Sequence, residues 1–130
     1  MTSQTEALIK ARRKFLHETI QHFNLGNRST GTRASGHTTQ CLYSGTGCAI
    51  GRHIADKALC SKLDGMLHSG CDSPLVFDML PADLQALGRH FLSEVQNLHD
   101  TEKFWTPTGL NAAGLKAAEQ IRHKWIPKDL

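Results

Sequence analysis

The residues best suited to chemistry lie between Asn27 and Gln40, in the stretch NRSTGTRASGHTTQ. Arg28 and Arg33 supply fixed positive charge, and His37 adds a titratable ring. Ser29, Thr30, Thr32, Ser35, Thr38 and Thr39 carry hydroxyls, while Gly31 and Gly36 let the backbone come close to a guest. Guanidinium forks match oxyanions in two-pronged fashion, and successive backbone N–H groups do the same in a concave turn. The chemistry is that of phosphate or nucleotide recognition. The Gly-x-x-x-x-Gly-Lys of a P-loop is absent, so no such cradle is expected. With Ala34 as its one apolar residue, the stretch reads equally as a solvated surface loop without a ligand.

A second group follows. Cys41-Leu-Tyr43 and Cys48-Ala-Ile50 are short apolar runs separated by Ser44-Gly-Thr-Gly47, the pattern of a β-hairpin. Arg52 and His53 lead out of its second arm. In a cleft shared with Tyr43, Arg52 would hold an anion, the Tyr43 ring would stack on a base and His53 would donate a hydrogen bond. The plainer account is packing, with Arg52 paired to a carboxylate such as Asp56. The candidate ligand-binding set is therefore Arg28, Thr30, Arg33, His37, Thr39, Tyr43, Arg52 and His53.

Other chemistries find less support. Four cysteines and eight histidines invite a zinc site, but six residues separate Cys41 from Cys48 and ten separate Cys60 from Cys71. Neither spacing is a Cys-x-x-Cys knuckle, and free buried thiols account for the pattern. No metal ligand and no cofactor are assigned. His99-Asp100 is similar to the metal-binding dipeptide of helical phosphohydrolases, which need further His and Asp ligands in a longer bundle. A histidine in the last turn of a helix, facing the carbonyl end of the dipole, is the simpler reading. No Gly-x-Ser-x-Gly elbow is present, and no catalytic residue is assigned. Arg12-Arg13-Lys14 is a basic run, but consecutive helical positions diverge by about 100° and make no single patch. Nucleic acid is accordingly a less favoured partner.

These groups need a scaffold, and periodicity supplies one. Ser3-Gln-Thr-Glu6 has capping-box spacing and opens a helix over about residues 4–25. Ile9, Leu16, Ile20 and Phe23 form its apolar stripe, flanked by Leu8 and Phe15, and Gly26 stops it. Ala55, Leu59, Leu63 and Leu67 predict a helix from Ile54 to Leu67. Ser73-Pro74 starts a short segment to Leu80. Pro81 opens a long helix with Leu84, Leu87, Phe91, Val95 and Leu98 inward, ending at His99-Asp100. Trp105 and Pro107 mark a connection. A last helix buries Leu110, Gly114, Ala117, Ala118, Ile121 and Trp125, with Ala113, Gly114 and Ala117 small enough for close helix approach. The expected fold is α+β and predominantly helical, four to five helices packed with one short β-hairpin. Residues 1–130 form a single domain.

The bulk numbers agree. The chain has 130 residues, 39% hydrophobic and 21% charged, enough for a core without metal or disulfide. No apolar run approaches the roughly 18 residues of a membrane span, and the N-terminus places charges where a signal peptide needs its apolar core. A cytoplasmic protein with reduced thiols and no membrane partner is expected. The net charge of +3 favours anionic partners.

Gln40-Cys-Leu-Tyr43, Gly47-Cys-Ala-Ile-Gly-Arg-His-Ile54, Phe91-Leu-Ser-Glu-Val-Gln-Asn-Leu-His-Asp100 and Trp105 resemble a group of small proteins from tailed bacteriophages and prophages. That group carries Cys-x-Tyr, a short turn, Cys-Ala-Val/Ile-Gly and a later His-Asp. The resemblance covers residues 40–105. It lapses after Ile54, where Ala55-Asp56 stands in place of the group's Pro-Asp. It implies a viral origin and the host cytoplasm more than an activity. Together these features favour a non-enzymatic binding protein that engages an anionic, nucleotide-like ligand, such as a signal of host antiviral defence, and that self-associates. Two alternatives stay open: an inhibitor that binds a host protein without a small ligand, and a small nucleotide or phosphoester hydrolase using His53, Asp56 or His99-Asp100.

Overall fold

The computed structural model describes residues 3–24, 31–32, 38–39, 48–64 and 73–127. Within them the protein is predominantly helical with short antiparallel β pairs, the α+β class its sequence leads one to expect. Helix α1 (Ser3–His22) has no glycine or proline to interrupt it and buries Ile9, Phe15, Leu16 and Thr19, with Phe23 just beyond its end. Thr19 is tolerated inside because its hydroxyl donates back to the Phe15 carbonyl at 2.8 Å.

The hairpin stands elsewhere than the sequence placed it. Cys48 to Ile50 is not a strand but a buried turn running into a 3-10 turn at Gly51–His53. Its partner arm, Cys41 to Tyr43, lies outside the described residues. The hairpin that closes the fold joins β3 (Trp105–Thr106) to β4 (Gly109–Leu110), the connection marked by Trp105 and Pro107. Thr106 steadies its turn by donating to the Gly109 carbonyl at 3.0 Å. A further antiparallel pair, β1 (Gly31–Thr32) with β2 (Thr38–Thr39), falls inside the stretch expected to be loop. β-branched Thr32, Thr38 and Thr39 favour extended backbone, which the count of hydroxyls alone concealed.

Helix α2 (Lys57–Asp64) starts later than expected, because Asp56 caps it by accepting from the Ala58 and Leu59 amides at 3.0 and 3.2 Å. Ala55 is thus exposed before the helix, and Cys60 joins Leu63 on the buried side. Short helices α3 (Pro74–Phe77) and α4 (Ala82–Gln85) follow. The long helix expected from Pro81 is broken: Gly88, at φ 95°, separates α4 from α5 (Arg89–Asp100). The apolar residues on both sides, Leu84, Leu87, Phe91, Val95 and Leu98, are nonetheless all buried.

Helix α6 (Ala112–Trp125) is capped by Asn111, whose side-chain oxygen accepts from the Gly114 amide at 2.9 Å. Gly114 is required by close approach to a turn, not to a helix. A Cβ there would lie 2.6 Å from the Phe104 carbonyl oxygen. Ala113 is exposed. Helices α1, α5 and α6 enclose the core, with the Trp105 indole donating to the Leu98 carbonyl at 2.9 Å.

Candidate functional site

The Cys48–Ile54 turn presents Arg52 and His53 to α1. Ile50 and Ile54 are buried on either side, which anchors the turn by its apolar residues. Backbone bonds from Arg52 N to Cys48 O (3.1 Å) and from His53 N to Ile50 O (3.0 Å) fix its curvature. The Gly51 amide donates to the Cys48 sulfur at 3.3 Å. The two polar side chains are therefore held by a backbone with little freedom.

The Arg52 guanidinium meets the His53 Nε2 at 2.9 Å. Since a guanidinium only donates, Nε2 must accept, which puts the ring proton of neutral His53 on Nδ1. The ring lies against Phe15 of α1, centroids 4.9 Å apart. Burial pushes the His53 pKa below its ordinary value, and the charge of Arg52 adds to that, while Glu18 and Asp83 oppose it. His22 is lowered too, through burial first and then Arg52 and His99. The carboxylate facing Arg52 is not Asp56, which is occupied as a helix cap, but Glu18, with Oε2 at 4.0 Å. At that distance in a partly solvated setting the attraction is weak. Arg52 thus spends one donor on a neutral ring and, among the described residues, keeps only a loose carboxylate neighbour, a state compatible with taking an oxyanion between its remaining N–H groups.

Of the eight candidate ligand-binding residues, the structure brings Arg52 and His53 together. Thr39 lies in β2, and Arg28, Thr30, Arg33, His37 and Tyr43 lie outside the described residues. Glu18, Phe15 and Asp83 escaped sequence reasoning. Glu18 had a signal, since Lys14 and Glu18 stand four apart on α1, and their charged ends are 4.0 Å apart.

His99 and Asp100 belong to the core. His99 is fully buried, its Nδ1 is 2.8 Å from Asp100 Oδ1, and its ring packs edge-on to Phe23 at 4.5 Å. The Gln96 amide donates to the same carboxylate oxygen at 2.7 Å. His99 stands in the last turn of α5, where the simpler reading put it, and is there a buried, packed polar group. Cys48 and Cys60 are buried, Cys60 with its thiol pushed up by burial, and Cys41 and Cys71 lie outside the described residues. Among the described residues no cluster of three or more His, Cys, Asp or Glu side chains is placed to hold a metal ion. No helix among them is long and apolar enough to cross a membrane.

Arg12 has a role that its place in a basic run hid. Its guanidinium lies between the Phe91 and Trp125 rings, 5.4 and 5.2 Å from their centroids. Its Nε donates to the Leu87 carbonyl at 3.0 Å, and one terminal nitrogen approaches the Trp125 carbonyl at 3.4 Å. It ties α1 to the α4–α5 break and to the end of α6. Comparison with protein-family models, with curated proteins and with solved structures gave no match.

Proposed function

We propose that this chain is a phage-derived, non-enzymatic binding protein whose ligand is anionic and nucleotide-like, with Arg52 as the anchoring cation and His53 as its positioning neighbour. One observation carries the proposal. The Arg52 guanidinium meets the His53 ring at 2.9 Å while Glu18, its carboxylate neighbour among the described residues, stands off at 4.0 Å, so these neighbours compensate its charge only loosely. Arg28 and Arg33, on sequence grounds alone, are the further cations called upon. The viral context rests on the resemblance around Tyr43, the Cys48–Ile54 segment and His99-Asp100.

The test is a thermal-shift screen with cyclic and ADP-ribose-type nucleotides on the wild type and on Arg52→Ala. A ligand at a hundred times its Kd raises stability by about 2.7 kcal/mol. Wild type should be stabilised by at least one nucleotide, recovered unchanged afterwards, and Arg52→Ala should lose that gain. Equal gains in both proteins would refute the assignment of Arg52.

A second reading has its own observation. Leu115 is 54% exposed at the rim of a groove of about 330 Å³ that also takes in Ile20, Leu110 and Phe23. An exposed apolar residue beside such a groove suits a host-protein inhibitor that needs no small ligand. A complex with a purified host enzyme that is lost in Leu115→Asp, with no nucleotide shift in the wild type, would favour it.

A further inference from the structure

We infer that the exposed crest of α1, formed by Lys10, Arg13, Lys14 and His17, is a docking surface for the phosphate backbone of duplex nucleic acid. The basic run Arg12-Arg13-Lys14 makes no patch by itself, and Arg12 is turned inward between two rings. Adding the neighbouring turns changes the picture. At about 100° per residue, Lys10, Arg13, Lys14 and His17 fall within one arc of about 100°. All four are exposed, on the side of the helix away from Ile9, Leu16, Thr19 and Phe23.

From Lys10 to His17 the helix rises about 10 Å. A duplex carries about one charge per 1.7 Å of axis, so several phosphates lie within reach of such a ridge. Little among the described residues neutralises it. Among the described residues Lys10, Arg13 and His17 have no carboxylate within ion-pair distance, and Lys14, 76% exposed, has Glu18 at 4.0 Å. Glu6 borders the crest at its N-terminal end and Glu18 at its flank. The crest is also held firmly from beneath by Arg12, so a partner need not order it.

The make-up of the crest selects among polyanions. It has no aromatic side chain, and among the described residues Trp105, Phe91 and Trp125 are committed to the core or to Arg12, so the crest itself offers single strands no stacking platform. It has no large apolar anchor of the kind that dominates protein interfaces. Nor has it an apolar face to sink into a lipid surface. What remains is sequence-independent backbone contact, the mode open to duplexes. The inference does not rest on Arg52 and His53.

Fluorescence anisotropy with a short labelled DNA duplex of arbitrary sequence tests it, using the wild type, Lys10→Ala/Arg13→Ala/Lys14→Ala and Arg52→Ala. Alanine is favourable at exposed helical positions, so the triple variant should keep its fold, checked by its melting curve. Three phosphate contacts give a log–log salt slope of about −2.7, a fall of about 40-fold from about 50 to about 200 mM salt. The triple variant should lose at least tenfold in affinity and most of that slope, while Arg52→Ala retains both. Lys10→Arg/Lys14→Arg should bind like the wild type. No salt-dependent binding of the duplex, or unchanged affinity in the triple variant, would overturn the inference. So would binding confined to polyglutamate or to phosphatidylserine vesicles.

Discussion

Two arginines, one on α1 and one on the turn packed against it, show how one side chain is locked into the structure while another is held more loosely. Arg12 is partly buried, stacked between Phe91 and Trp125 and bonded to the Leu87 carbonyl at 3.0 Å. Its partners are backbone and rings, fixed by the fold and unable to titrate. Arg52 sits on a tight turn, bonded to a histidine that can titrate and 4.0 Å from a glutamate that can swing away. The difference lies in the partners. Carbonyls and aromatic faces lock a guanidinium in place, while a neutral imidazole and a distant carboxylate orient one without neutralising it.

Arg12→Ala strips two carbonyls of a donor and two rings of a cation, and should cost about 2–4 kcal/mol in chemical denaturation. A cost close to that of Arg52→Ala would erase the distinction. Gly88→Ala sharpens it at smaller scale. Gly88 has φ 95°, and a Cβ there would stand 3.0 Å from an Arg12 terminal nitrogen. A loss of about 1–2 kcal/mol is expected from the backbone conformation and the displaced guanidinium together. Combined with Arg12→Ala, the loss should fall short of the sum, because the two changes disturb one contact.

The smallest effect concerns His53. Its pKa is lowered by burial and Arg52, so the unfolded chain takes up the proton first as pH falls. Stability should therefore decline as pH drops through about 6.5, the unfolded value, and level off below the folded pKa. His22, lowered in the same direction, adds to the decline. His53→Gln keeps an acceptor for Arg52 but does not titrate, and its stability should fall less between pH 7 and pH 5.

Much of the scaffold was legible because burial follows helical periodicity. Ile9, Leu16, Phe23, Leu84, Leu87, Phe91, Val95 and Leu98, all expected inside, are buried. Breaks were harder to read. Gly88 interrupts a stripe whose apolar spacing runs on regardless, so periodicity overrode the one residue that mattered. The 48–50 segment is as apolar as a buried strand, and short apolar runs do not distinguish strand from turn. Thr-Pro-Thr-Gly at 106–109 was the better turn signal. At the candidate site, proximity of Arg52 to His53 was foreseeable from adjacency. The part played by Glu18 was not, since it depends on which face of α1 meets the turn.

The hold on Arg52 depends on the state of His53, which long-range ¹H–¹⁵N correlation spectra of the imidazole nitrogens report directly across a pH titration. The expected result at pH 7 is a neutral ring with its proton on Nδ1, an acceptor Nε2 and a pKa below about 6.5, the value of a free histidine. A proton on Nε2, or a pKa above the free value, would mean that Arg52 does not donate to this ring. The anchoring arrangement described for it would then be contradicted.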